Sequence, residues 1–203
     1  MTQPPGAYLA PAGAAEAEIR EKKSRFLALI RPAADEEAVH EELAELRRRF
    51  PDARHHCWAC RLGAAPVERS SDAGEPAGTA GVPMLQVLRG ANLSDVLAVV
   101  IRWFGGIKLG KGGLARAYAE ATRQALVDLP TQLKVPVDEL LVELPYELLG
   151  AVKRLLRPPE VELLAEDYGA RVRLTLQVHR HLRSELEAAL ADLQVVPQAG
   201  KDA

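Results

Sequence analysis

The sequence predicts an α+β protein built as two small domains, and three observations carry that reading. Apolar residues recur at helical spacing in some segments and alternate in others, so helices and strands are interspersed along the chain. A proline-bounded stretch over residues 130–136 separates two such sets. Beyond it the order is strand, helix, strand, strand, helix, a βαββα run of ferredoxin-like size. With 203 residues the chain has material for one substantial core or two small ones.

Composition sets the outer limits. A hydrophobic share of 48% with 27% charged residues is that of a folded globular chain and not of a disordered one. The formal net charge of −2 gives no global attraction to nucleic acid or membrane, so such a role requires a local patch. No run approaches the length of a membrane span, and residues 1–15 lack the basic start and apolar stretch of a signal peptide. The expectation is a cytoplasmic protein with no membrane partner. The two cysteines, Cys57 and Cys60, are too few for a disulfide framework and are expected to be reduced.

Residues 1–15, rich in Pro, Gly and Ala, read as a flexible arm. The first domain is placed at 16–130, the linker at 131–136 and the second domain at 137–203. Residues 16–30 suggest two strands joined at the polar Glu21-Lys22-Lys23-Ser24. Val39, Leu43, Leu46 and Phe50 set a helix over 35–50, with acids in its first turn and Arg47 to Arg49 in its last, an order that suits the helix dipole. A strand is expected at 55–62, a polar loop at 63–81, a short helix at 82–89 and a buried strand at 96–104. A helix follows over 114–129, presenting Leu114, Ala117, Tyr118, Ala121, Ala125 and Leu126 to the core. In the second domain strands are expected at 137–144, 161–166 and 171–178, with helices at 146–156 and 182–193. A fourth strand near Val195 and Val196 would complete the sheet.

The strongest chemical signal is the glycine loop between the buried strand and its helix. Gly105, Gly106, Gly112 and Gly113 lie among Arg102, Lys108, Lys111 and Arg116, with no acid in that run. Backbone amides at a glycine loop and a helix start cradle anions, and the cations add charge attraction. The spacing Gly105, Gly110, Lys111 approaches a P-loop, but Gly112 stands where a hydroxyl would hold magnesium, which argues against nucleotide hydrolysis. Taken without their cations, the glycines would signify only a tight turn.

A second segment, Ser71 to Gly81, places Asp72 and Glu75 among glycines. Two carboxylates can serve acid–base chemistry or a metal, and equally can cap a turn or pair with an Arg. His55, His56, Cys57 and Cys60 invite a zinc reading, but on a strand His55 and Cys57 face one side while His56, Trp58 and Cys60 face the other, so they cannot converge on one ion. No metal or other cofactor is expected. His56 is kept as a site candidate. The open face of the second sheet, carrying Glu139, Glu143, Glu162, Glu166, Arg171 and Arg173, mixes charges and lacks the aromatic platform of an RNA-recognition surface.

The runs Ser71-Asp72-Ala73-Gly74-Glu75-Pro76-Ala77-Gly78-Thr79-Ala80-Gly81, Arg102-Trp103-Phe104-Gly105-Gly106-Ile107-Lys108-Leu109-Gly110 and Gly112-Gly113-Leu114-Ala115-Arg116-Ala117-Tyr118 closely resemble the signature of the YigZ/IMPACT family. Lys23-Ser24-Arg25-Phe26 adds to the resemblance. It implies a first domain like the second domain of ribosomal protein S5, a ferredoxin-like second domain and a link to translation. Ala73 departs from a second Asp common in the family, which weakens a paired-carboxylate site. The leading expectation is a non-enzymatic, translation-associated binding protein that contacts RNA or the ribosome through the cationic loop. Alternatives are an enzyme acting on a small phosphorylated or peptidic ligand between the two motifs, and a regulator that binds a translation factor or other regulatory protein.

Overall fold

The computed structural model describes residues 3–200 of the chain. The first two residues of the expected arm, and the last three of the expected second domain, lie outside the described residues. In order, the strands are β1 Tyr8–Pro11, β2 Ala15–Glu21, β3 Ser24–Pro32, β4 His55–Leu62, β5 Val67–Ser71, β6 Val96–Trp103, β7 Thr131–Lys134, β8 Val137–Leu144, β9 Val161–Tyr168, β10 Val172–His179 and β11 Gln198–Ala199. The helices are α1 Glu36–Arg49, α2 Gly81–Gly90, α3 Gly110–Val127, α4 Leu149–Lys153 and α5 Arg183–Asp192. The chain divides into two compact units, one of Tyr8–Lys134 and one formed by Val135–Ala203 with the few residues before Tyr8.

The first unit is built on a five-stranded antiparallel sheet in the order β2-β3-β6-β4-β5. Strand alternation divides its side chains between two cores. Phe26, Ala28, Ile30, Cys57, Ala98 and Val100 meet α2 and α3 on one face. Leu29, Cys60, Leu97, Val99 and Ile101 meet α1 on the other. Because β6 is covered on both faces, it reads in the sequence as a continuous apolar run. Helix α1 starts where Asp35 accepts from the Ala38 amide at 2.8 Å, a side-chain cap on an otherwise unpaired donor. The expected thiol geometry is seen: Cys57 and Cys60 are free, buried and on opposite faces of the sheet.

Two expectations are corrected at the edges of this unit. Tyr8–Pro11 lies within the expected flexible arm and Thr131–Lys134 within the expected linker, yet they pair antiparallel as a two-stranded sheet. Buried Asp95 ties it down, accepting from the Tyr8 hydroxyl at 2.8 Å, the Lys134 ammonium at 2.7 Å and the Gly63 amide at 2.8 Å. Such short strands, far apart in sequence, show no alternation of their own. The polar stretch expected as loop likewise contains β5, an edge strand whose side chains are mostly exposed or half-exposed.

The second unit has an antiparallel sheet in the order β11-β8-β10-β9, with Leu140, Val142, Leu144, Val172, Leu174, Leu176 and Val178 packed against Val152, Leu186 and Leu190 of its helices. The completing strand falls at Gln198–Ala199, slightly later than expected, while Val195 stays in the core. On the open face Glu143 pairs with Arg171 and Arg173. A register shift between Thr175 and Leu176 moves Glu166 opposite the core residue Leu174, where it pairs with Lys153 of α4. A bulge reverses the facing of every residue beyond it, which simple alternation misses.

The tip of the β2–β3 hairpin bears directly on the glycine loop. Lys22 and Lys23 both take positive φ, 43° and 66°, as a two-residue hairpin turn requires. The Lys23 carbonyl sits so close to Gly105 that a Cβ there would lie 2.0 Å from it. Gly112 differs: its Cβ would meet only the end of the Arg116 side chain, at 3.6 Å. Gly105→Ala is therefore expected to cost about 1–3 kcal/mol, since two backbones would have to part. Gly112→Ala should be neutral or add roughly 0.5 kcal/mol through helix propensity. Urea melts of the two variants check this, and equal stability of both would contradict it.

Candidate nucleic-acid interface

The loop from Ser71 to Gly81 is held by one carboxylate. Asp72 accepts from the amides of Gly78 at 2.8 Å, Ala80 at 2.8 Å and Gly81 at 2.9 Å. Burial alone would raise its pKa, but the amides of Gly78, Gly81 and Ala80 together hold the carboxyl below the usual range. Ala73 and Gly74, both at positive φ, turn the chain so that the Ala73 carbonyl lies 3.0 Å from Nδ1 of His55. Asp72 thus organises the loop, with both carboxylate oxygens engaged by backbone amides.

The same loop delivers Glu75 into the protein, where it meets Arg102 from β6. Their charged atoms lie 2.6 Å apart, and the two side chains are only 4% and 6% exposed. The Tyr118 hydroxyl donates to the same carboxylate oxygen at 2.8 Å, and Cys57 approaches that hydroxyl at 3.3 Å. Arg102 also reaches the Ser24 hydroxyl at 3.4 Å, and the Gly105 amide donates to that hydroxyl at 3.2 Å. Burial pushes the Cys57 thiol up to about 12, so it is a neutral packing group. Burial, reinforced by the neighbouring Cys57 thiol, likewise keeps Tyr118 protonated and donating.

Arg102 is therefore not a surface cation, contrary to the acid-free basic patch read from the sequence. The neutralising Glu75 is distant in sequence and reaches it only through the folded loop. His56 does not reach the surface either: it is buried on the strand face opposite Cys57, its Nε2 has no hydrogen-bond partner among the described residues, and burial, with Arg47 nearby, lowers its pKa. Its neighbour His55 lines the site instead. Among the described residues, no three His, Cys, Asp or Glu side chains gather as a metal site would require.

A hollow of about 420 Å³ is lined by Arg54, His55, Glu75, Pro76, Arg102, Phe104, Lys108 to Lys111 and Leu114. The two signature segments thus converge, and Gly106 and Gly110, at φ 86° and 73°, turn the loop between them. Helix α3 begins at Gly110, earlier than the expected start at residue 114, so Lys111, Gly112 and Gly113 lie in its first turn. Arg116 lies in a neighbouring hollow of about 470 Å³ with Lys22 and Arg123, where Glu21 and Glu120 temper its charge. Phe104, expected to be buried at the end of β6, is 57% exposed. Arg54, Lys22, Lys23 and Phe104 escaped the sequence reading. The one available signal was an aromatic residue placed where a buried strand breaks into glycines.

Around the loop, Lys22, Lys23, Arg54, Lys108, Lys111 and Arg116 are all exposed, and none makes an ion pair with a described residue. No helix among the described residues is long and apolar enough to cross a membrane.

Fold and site define an α+β protein whose first unit presents a glycine-bearing cationic loop beside a small hollow. The Impact N-terminal domain model matches residues 22–126, and a domain of unknown function (DUF1949) matches residues 142–193. The chain is 39% identical over 188 residues to the IMPACT family member YigZ of Escherichia coli, covering 91% of this chain and 92% of that one. It is 35% identical over 166 residues to the family member YvyE of Bacillus subtilis, covering 81% and 76%. A crystal structure of a hypothetical protein aligns with a TM-score of 0.72 at 37% identity, covering 97% of this chain and 98% of the other. The chain belongs to the IMPACT family.

Asp72 supplies a pH test of the loop. Its folded pKa is depressed, so its stabilisation is complete above the ordinary Asp value and is lost as pH falls through the folded one. Asp72→Asn is expected to cost roughly 1–3 kcal/mol at neutral pH, the worth of hydrogen bonds to a charged acceptor. The gap from wild type should shrink in melts run below the ordinary Asp value. A gap that does not change with pH would contradict the assignment.

Proposed function

We propose that this protein is a non-enzymatic, translation-associated binding protein that holds RNA or the ribosome through the cationic glycine loop. One observation carries the reading: six cations without an ion-pair partner among the described residues surround the loop, whereas Asp72 is taken up by backbone amides, Glu75 by Arg102, and only Glu21 and Glu120 stand near Arg116. A polyanion then meets net positive charge at the loop although the whole chain carries −2. The amides at the start of α3 add donors in the same place. Membership of the IMPACT family supports the link to translation and the reading of a cytoplasmic protein.

The fold reading belongs to the same proposal. The second unit is read as ferredoxin-like, supported by an antiparallel sheet in which the strand order, numbered within the unit, is 4-1-3-2. The first is read as related to the second domain of ribosomal protein S5 on the strength of the family.

Replacing Lys108 and Lys111 together by Ala tests the function. For every phosphate that the variant no longer neutralises, the slope of log affinity against log salt should fall by about 0.7 for a single strand or about 0.9 for a duplex. Stability should stay within about 0.5 kcal/mol of wild type, since both side chains are exposed. Titration of ribosomes or RNA at two salt concentrations reads the slope. Unchanged affinity and slope in the double variant would overturn the proposal.

A further inference from the structure

The hollow at the glycine loop has a wall unlike that of a plain phosphate site. Pro76, Leu109 and Leu114 supply apolar surface, Arg54, Lys108 and Lys111 supply charge, and Phe104 supplies an aromatic ring. At about 420 Å³ it lies within the usual range for small-ligand pockets. Phe104 is 57% exposed just beyond a strand in which Val96 to Ile101 are buried and Trp103 is half-buried. Because the ring lines a hollow, a ligand seated there would cover its apolar area. The Arg102 guanidinium lies over this ring at 5.5 Å and over that of Phe26 at 5.4 Å, while Glu75 fixes the guanidinium itself. Phe104 is thus a ring beside an anchored cation, with much of its surface open.

We propose that the hollow receives one unpaired nucleotide, its base stacked on Phe104 and its phosphate held by Lys108 and Lys111. The inference rests on the polyanion reading above and adds the part that cations alone do not supply. Every base has a stackable face, so an aromatic ring beside cations favours single-stranded nucleic acid without selecting a sequence. A base within a duplex is stacked on its neighbours and closed to the ring. The apolar residues of the hollow would cover the base edge, and Arg54, which lines the same hollow, would be available to a second phosphate. The shared chemistry, a base with an attached phosphate, occurs both in an RNA strand and in a free mononucleotide.

The experiment uses the full chain as wild type, Phe104→Ala, Phe104→Tyr and Lys108→Ala/Lys111→Ala, with thermal melts to verify folding. Each is titrated with a labelled short oligoadenylate, with an abasic strand of equal length, and with the oligoadenylate under competition by AMP. Phe104→Ala should bind oligoadenylate roughly 5- to 150-fold more weakly, the range for removal of one stacked base, with the salt slope unchanged. It should match wild type on the abasic strand, and Phe104→Tyr should restore binding. The lysine pair should flatten the salt slope on both strands. Competition by AMP assigns the hollow to free nucleotides, and its absence assigns it to a strand; either supports the stacking site. If Phe104→Ala keeps wild-type affinity, or wild type binds the abasic strand as tightly as oligoadenylate, the stacking site is overturned while the polyanion reading stands. If wild type binds neither strand, the stacking site is overturned, and the polyanion reading is decided separately by the ribosome titration.

Discussion

The carboxylate of Glu75 and the guanidinium of Arg102 meet at 2.6 Å with almost no exposure to water, and the architecture around the loop depends on that pairing. Taking two charges out of water is costly, and Coulomb attraction offsets the cost only when further hydrogen bonds complete the arrangement. Here they do. Tyr118 from α3 donates to Glu75, Ser24 at the β2–β3 turn lies against Arg102, and the Gly105 amide closes on the same serine. Four parts of the fold, the Ser71–Gly81 loop, β6, α3 and the hairpin tip, are thereby fastened at one point.

The consequence for function is a separation of charge by burial. The acid that reaches the loop region from the first signature segment is consumed inside, together with the arginine nearest to it. What remains exposed around Phe104 is cationic, Arg54, Lys108 and Lys111, while Glu21 and Glu120 stand in the neighbouring hollow beside Arg116. The same network positions Phe104, whose ring stands beside Arg102, and sets Gly105 under the hairpin where only glycine fits. Two polar segments that converge in space therefore need not form a catalytic dyad: one segment braces the other, and the braced one carries the surface.

Much of the fold could be read from the chain because it rests on local pattern. The alternation of β10, the apolar run of β6 and the helical stripe of α3 each report burial through residues close in sequence. The β1–β7 pair and the bulge in β9 could not be read so, because they depend on partners distant in sequence or on one extra residue. The site was legible in the same degree. The glycine loop and its lysines were visible, whereas the burial of Arg102 and His56 and the exposure of Phe104 follow from three-dimensional packing. Arg102 shows the limit most clearly, since nothing between residues 102 and 116 announces that its partner is Glu75.

The most direct measurement is a double-mutant cycle on that pair, with Glu75→Gln, Arg102→Met and the double variant compared with wild type by denaturant unfolding. Each single change leaves one buried polar or charged partner uncompensated and is expected to cost about 3–5 kcal/mol. The double variant should cost clearly less than the two together, revealing a coupling of about 1 kcal/mol or more. Additive losses, or single variants as stable as wild type, would contradict the claim that this ion pair holds the site together.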